Sequence, residues 1–109
     1  RKGGAANAVP RPGGRLRGVA LRVDDRLLEA LDVKEGHPER YNRGADPMPA
    51  QLVHTGGDVA AWLYRVTPAY EVAAFVPPRR AYLDLVIEAA HEHELGRDYV
   101  SALRKLPCV

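Results

Sequence analysis

Glu35 is the residue whose type and position in the sequence most strongly suggest chemistry. It lies in segment 31–36 (LDVKEG), where a predicted helix ends and a glycine lets the chain turn. A carboxylate at such a boundary can exchange protons with a substrate when other groups enclose it. Taken alone, the segment favours a more ordinary interpretation, an exposed glutamate beside the glycine that ends a helix.

The other side chains capable of chemistry give weaker signals. Tyr41 and Tyr82 on their own are typical of aromatic residues at the edge of a core. His91 and His93 resemble a metal-binding pair, but residues two apart on a helix point about 200° apart, so they cannot readily bind one ion. The sequence also lacks a P-loop, a G-x-G-x-x-G loop, a nucleophile elbow and a Cys/His metal set. We therefore predict no metal site.

The composition is that of one globular domain. The chain has 109 residues, of which 46% are hydrophobic and 28% charged, as in ordinary globular proteins. No apolar run approaches the roughly 20 residues of a membrane span, and the N-terminus lacks the apolar region of a secretory signal. The single cysteine, Cys108, cannot form a disulfide within the chain. We therefore expect no membrane partner and a cytoplasmic location.

The charge distribution gives little support to a nucleic-acid partner. The net charge is only +2. Five cations precede the first acidic residue, but no aromatic side chains are interleaved with them to stack on bases; they are Arg1, Lys2, Arg11, Arg15 and Arg17. The favoured interpretation is a solvated face, and a barrel that binds nucleic acid is a minor alternative.

The N-terminal half of the pattern predicts a strand and a short helix. Residues 1–14 are rich in Gly and Pro and are expected to be an irregular lead-in. Apolar residues alternate over 15–23, which predicts a strand. Asp24 or Asp25 can cap the helix that follows, and Gly36 ends it.

The C-terminal half predicts a hairpin and two helices. Gly56-Gly57 favours a turn between residues 52–53 and a strand over 59–66. After Pro77-Pro78, an apolar stripe predicts a helix over about 79–95, with Gly96 following its C-terminus. Asp98 can cap a last helix. Strands and helices do not alternate regularly, so we predict an α+β fold whose antiparallel sheet is partly closed, with helices beside it.

Five of these pieces, in this order, resemble the γ-glutamylcyclotransferase-like (AIG2-like) family. Gly18-Val19 leads into a strand, and LDVKEG is followed by a tyrosine. Residues 61–64 (AWLY) are similar to that family's A-x-x-Y strand. Residues 77–82 (PPRRAY) precede a long helix, and 95–103 (LGRDYVSAL) resemble the segment that follows it. The resemblance covers nearly the whole chain, so it implies a single domain over residues 1–109 with a barrel-like mixed sheet.

The resemblance implies a function and a set of site residues. The family's reaction cyclises a γ-glutamyl group to 5-oxoproline and releases an amine, without a metal or organic cofactor. Glu35 corresponds to the catalytic acid and base. Tyr41 and Tyr82 correspond to residues that line the substrate pocket, and Gly36 would let the chain turn sharply beside the acid. The expected partner is a small γ-glutamyl compound.

One departure from the family pattern leaves an alternative open. The family begins with a strand and a Y-G-S-N-type loop whose amides hold the substrate, and these are expected to be missing from this chain. An unpaired strand edge would then favour a homodimer. A non-catalytic relative that binds a small ligand or another protein is therefore the alternative function.

Overall fold

Three helices and four short strands make up the described part of the chain. A computed structural model describes residues 6–9 and 11–109. In chain order the elements are α1 (Asp25–Glu35), β1 (Tyr41–Asn42), β2 (Met48–Gln51), β3 (Asp58–Ala61), β4 (Arg65–Val66), α2 (Arg80–Glu92) and α3 (Arg97–Arg104). Among the described helices, none is both long and apolar enough to cross a membrane. The predicted α+β class is confirmed.

The described residues divide into two compact units. One contains Arg11–Val19 and Val72–Val109, and the other contains Ala20–Glu71 with residues 7–9. In the first unit α2 packs against α3. This contact buries Leu83, Ala90 and Val100.

The helix α1 follows the local signals in the sequence. The backbone N–H of Leu27 donates to Asp24 Oδ1 over 2.8 Å, so Asp24 is the N-cap. Gly36 takes the left-handed conformation at the C-cap, with φ 70°. Its N–H and that of His37 return to carbonyls of the last turn, Val33 and Asp32, as in a Schellman-type ending. Both predicted ends of this helix are confirmed.

The strands form two separate antiparallel pairs. β2 pairs with β3, with Met48 opposite Ala61 and Gln51 opposite Asp58. The hairpin turn contains Gly56-Gly57, as predicted. β1 pairs with β4, with Tyr41 opposite Val66. The antiparallel pairing is confirmed, but the two sheets are not closed among the described residues, so barrel-like closure stays a prediction.

Two strand predictions were wrong, one because the strand is absent and the other in the extent of the strand. Residues 15–23 form no strand in the structure, and Leu16, Val19 and Leu21 are exposed. Apolar alternation indicates a strand only when another strand supplies its hydrogen bonds, and no described strand does so here. The strand predicted over 59–66 is divided into β3 and β4, because the chain changes partner from β2 to β1 at residues 62–64.

The region between the last two helices also differs from the prediction. Gly96 is the N-cap of α3, with φ 106°, rather than the residue after α2. The helix α2 ends earlier, at Glu92, and Glu94 takes a positive φ of 54°. Asp98 lies inside the first turn of α3 and makes no capping hydrogen bond. Because α2 ends at Glu92, three residues separate it from Gly96, which begins α3.

The burial of α2 generates a stability prediction. Leu83 is 3% exposed and Leu85, two residues along the same helix, is 65% exposed. We expect Leu83→Ala to lower the free energy of unfolding by about 2–5 kcal/mol, because it leaves a cavity in the small α2–α3 core. The control Leu85→Ala should stay within about 0.5 kcal/mol. Urea unfolding followed by circular dichroism measures both, and equal losses would contradict the burial described here.

Candidate functional site

An ion pair joins the end of α1 to the segment after β1. The Arg43 guanidinium donates from Nε to Asp32 Oδ1 over 2.8 Å and from Nη2 to Oδ2 over 3.0 Å. The Tyr64 hydroxyl donates to the same Oδ1 over 2.6 Å. The Arg43 and Asp32 side chains are only 18% and 17% exposed. Asp32, Arg43 and Tyr64, here called the Asp32 cluster, therefore use both carboxylate oxygens and hold three distant segments together.

The cluster fixes the protonation states of its members. Hydrogen bonds from Arg43 and Tyr64 lower the pKa of Asp32 from 3.8 to about 2. Burial, reinforced by the bond to Asp32, raises the pKa of Tyr64 to about 12. The hydrogen bond to Asp32 likewise raises the pKa of Arg43. At neutral pH the cluster is one anion, one cation and one neutral phenol.

Neighbouring rings hold Arg43 and Tyr64 in place. The Arg43 guanidinium lies over the Trp62 ring, 4.3 Å from its centroid, at a distance where a cation–π attraction acts. The Arg43 backbone N–H donates to His37 Nδ1 over 3.3 Å. The His37 ring meets Tyr64 edge-on, with centroids 6.3 Å apart. Both partners of Asp32 are therefore fixed by contacts of their own.

A tight turn brings Arg43 back to the helix end. Gly36 begins it, and a Cβ at this position would meet Arg40 Cβ at 3.0 Å, a close approach that adds to the cost of a side chain at φ 70°. The Arg40 N–H donates to the Gly36 carbonyl over 2.8 Å. β1 follows at once, so Arg43 comes opposite Asp32. The helix end predicted at Gly36 lies at this turn, and the role of Gly36 beside a catalytic acid stays a prediction.

Glu35 is the last residue of α1 and is half-buried. It is three residues after Asp32, so the two carboxylates share one face of the helix. Its charge is one of the smaller causes of the raised pKa of Tyr64. Among the described residues no hydrogen bond or ion pair involves the Glu35 side chain.

The predicted tyrosines lie in different parts of the fold. Tyr41 is half-buried in β1, six residues after Glu35 and in the same unit. Tyr82 lies in the first turn of α2, 37% exposed, in the other unit. Their assignment to a substrate pocket stays a prediction.

A groove of about 480 Å³ opens beside Arg43. Its walls combine apolar groups from Met48, Leu63 and Val66 with the charged side chains of Asp46 and Arg65. Neither Glu35 nor either predicted tyrosine lines it. The groove therefore lies next to the Asp32 cluster, on the Arg43 side.

The sequence-based prediction missed the Asp32 cluster. Asp32 and Tyr64 lie within the segments LDVKEG and AWLY, and Arg43 lies outside both. The sequence pattern assigned a role to none of the three residues. The available signal was an acid in the last turn of a helix and an arginine shortly after the following turn. Such a pair is a common way to fasten a turn back to a helix.

Comparison with known proteins identifies one family. The sequence model of the AIG2-like family matches residues 15–103. The match includes the Asp32 cluster, Glu35, Gly36 and both predicted tyrosines. No curated protein and no solved structure matches the chain. In the part of the chain that the structure describes, no three His, Cys, Asp or Glu side chains are grouped to hold a metal ion.

The lowered pKa of Asp32 predicts a pH-dependent stability. Its folded-state pKa of about 2 lies below the ordinary 3.8, so the stabilisation is complete above about pH 4 and is lost as the pH falls towards 2. We expect Asp32→Asn to lower the thermal midpoint at pH 7, and the difference from the parent protein to shrink between pH 4 and pH 2. Melts followed by circular dichroism measure this, with the exposed Asp58→Asn as control. A difference that does not change with pH would contradict the assignment.

Proposed function

Because the chain belongs to the AIG2-like family, we propose that it is a γ-glutamylcyclotransferase-like acyltransferase. It cyclises a γ-glutamyl group to 5-oxoproline and releases an amine or an amino acid. The proposal includes a small-molecule γ-glutamyl substrate and a cytoplasmic location. The family match supports it because the matched segment contains Glu35, the residue assigned here as acid and base.

The reaction is an intramolecular acyl transfer. The substrate's α-amino nitrogen attacks its own γ-carbonyl carbon, which forms the C–N bond of a five-membered lactam. The bond between that carbon and the leaving nitrogen then breaks. The attacking ammonium group loses two protons as it becomes the lactam N–H, and the departing nitrogen gains two protons as it leaves as an ammonium ion. A single carboxylate can carry these protons in turn, and because the nucleophile is tethered, the protein mainly has to fold the substrate and exclude water.

The position of Glu35 is the observation that carries this assignment. A carboxylate in the last turn of a helix faces the negative end of the helix dipole, which is electrostatically unfavourable. Glu35 occupies that position, half-buried, beside the Asp32 cluster and with no described hydrogen-bond donor. A residue that breaks a local rule without a visible compensating contact is a candidate for function.

The remaining assigned residues have supporting roles in the proposal. Gly36 lets the chain turn immediately after the acid. Tyr41 and Tyr82 would contact the substrate through their hydroxyls. The chemistry requires no metal or organic cofactor, because the carboxylate alone moves the proton.

We also propose that the protein forms a homodimer. Several large apolar side chains are exposed, among them Leu21, Val33 and Val53. Each described sheet has only two strands, so each has edges that can pair with another chain. Size-exclusion chromatography with light scattering measures the mass directly.

The groove beside Arg43 favours a second candidate function. It has mixed apolar and charged walls and does not contain Glu35. A small ligand could bind there without any chemistry, as in a non-catalytic relative of the family. Turnover separates the two candidates, because only the enzyme releases 5-oxoproline.

The enzymatic proposal is tested with Glu35→Gln. We expect this variant to keep its circular dichroism spectrum and thermal midpoint but to lose kcat by about 100-fold or more, since it removes a general acid and base. The control is Glu29→Gln, an exposed glutamate on the same helix, which should keep full activity. The measurement is 5-oxoproline release from a panel of γ-glutamyl-amines and γ-glutamyl-amino acids, with the protein as its gene encodes it, including any residues before Arg1.

Two outcomes would contradict the proposal. Unimpaired turnover by the Glu35→Gln variant would remove Glu35 from the mechanism. No 5-oxoproline from any substrate, combined with saturable binding of a γ-glutamyl compound, would favour the binding module.

A further inference from the structure

The carboxylates of Asp32 and Glu35 are close neighbours in the last turns of α1. Residues three apart on a helix have Cβ atoms about 5–6 Å apart. The Glu35 charge is also a minor cause of the raised pKa of Tyr64. Asp32 itself is held by two other segments, through Arg43 and Tyr64. The cluster therefore lies where it can govern both the position and the electrostatic surroundings of Glu35.

The charges of the cluster cancel within it. Asp32 contributes one negative charge and Arg43 one positive charge, and they are joined at 2.8 Å. Tyr64 adds a hydrogen bond and no charge. Removing the anion would leave a cation facing Glu35 and favour its ionised form. Removing the cation would leave an anion and favour its protonated form.

We propose that Asp32, Arg43 and Tyr64 are positioning residues for Glu35, which hold the end of α1 and keep the surroundings of its carboxylate free of net charge. This inference rests on the proposed function, because it assigns the cluster to the residue that carries the proton. None of the three residues contacts the substrate in this scheme. Their effect reaches the reaction through Glu35.

Two further titratable groups lie near Glu35 in the sequence, and their effect on Glu35 has to be separated from that of the cluster. Lys34 precedes it on α1 and is exposed. His37 lies in the turn that follows and accepts a hydrogen bond at Nδ1. Each measurement is therefore repeated with His37→Gln, whose side-chain oxygen can accept the same bond.

The test compares pH profiles of kcat and KM for release of 5-oxoproline. We expect Asp32→Asn to move the acid limb of the kcat/KM profile about half a pH unit lower, and Arg43→Gln to move it about half a unit higher. Tyr64→Phe removes a hydrogen bond but no charge, so it should lower kcat without moving the limb. All three should lose roughly tenfold in kcat with little change in KM. The control Asp58→Asn should change neither value.

A merely structural role cannot move the acid limb in opposite directions in Asp32→Asn and Arg43→Gln. Shifts in the same direction, or none in well-folded variants, would overturn the inference. Arg43→Lys covers the case in which Arg43→Gln does not fold, because it keeps the charge and loses the two-point contact. It should lower kcat without moving the acid limb, and an unchanged kcat would contradict the positioning role.

A second measurement separates this inference from the proposed function. The carboxyl carbon of Glu35, labelled with ¹³C, is titrated by NMR in the parent protein, Asp32→Asn and Arg43→Gln. Midpoints that move in opposite directions support the cluster's control of Glu35 even if no substrate is turned over, which would reject only the enzymatic proposal. Midpoints that coincide would reject the positioning role even if the parent protein is active.

Discussion

The two-point hydrogen bond between Arg43 and Asp32 is the interaction on which the unit containing α1 depends. In that unit no described side chain is fully enclosed, since Leu83, Ala90 and Val100 all belong to the other unit. Apolar burial is not directional, whereas a charge-assisted pair fixes both distance and angle. A unit with little enclosed apolar surface therefore relies on this pair to specify how its helix, its turn and its strands meet.

The same ion pair also orders the end of α1, where Glu35 lies. A helix end normally frays, and its last turn is the least ordered part. Here Gly36 ends α1 sharply, and Asp32, one turn earlier, is fastened to Arg43 and Tyr64. Three residues lie between these two fixed points, and of these Val33 and Lys34 are exposed whereas Glu35 is half-buried. Glu35 has the order of a helical residue and the accessibility of a terminal one, which suits the proton-transfer role proposed for it.

How far the sequence predicts this structure depends on the range of each signal. Asp24 and Gly36 were predicted correctly as the ends of α1, because capping involves only neighbouring residues. The strand over 15–23 was wrong, because alternation describes one strand and not its partner. Arg43 was missed for the same reason, since its contact with Asp32 spans eleven residues. Tyr64 was predicted only as part of a strand, because Asp32, which accepts a hydrogen bond from its hydroxyl, is 32 residues away in the sequence.

The hydrogen bonds within the cluster indicate which groups at the end of α1 could take part in chemistry. Both oxygens of Asp32 already accept hydrogen bonds, the hydroxyl of Tyr64 donates to one of them, and Arg43 uses two donors on the same carboxylate. Breaking these bonds in a half-buried place would leave polar atoms without partners. The cluster is therefore suited to support rather than to binding. In contrast, the Glu35 carboxylate has no described donor, which supports the role proposed for it in exchanging a proton with a substrate.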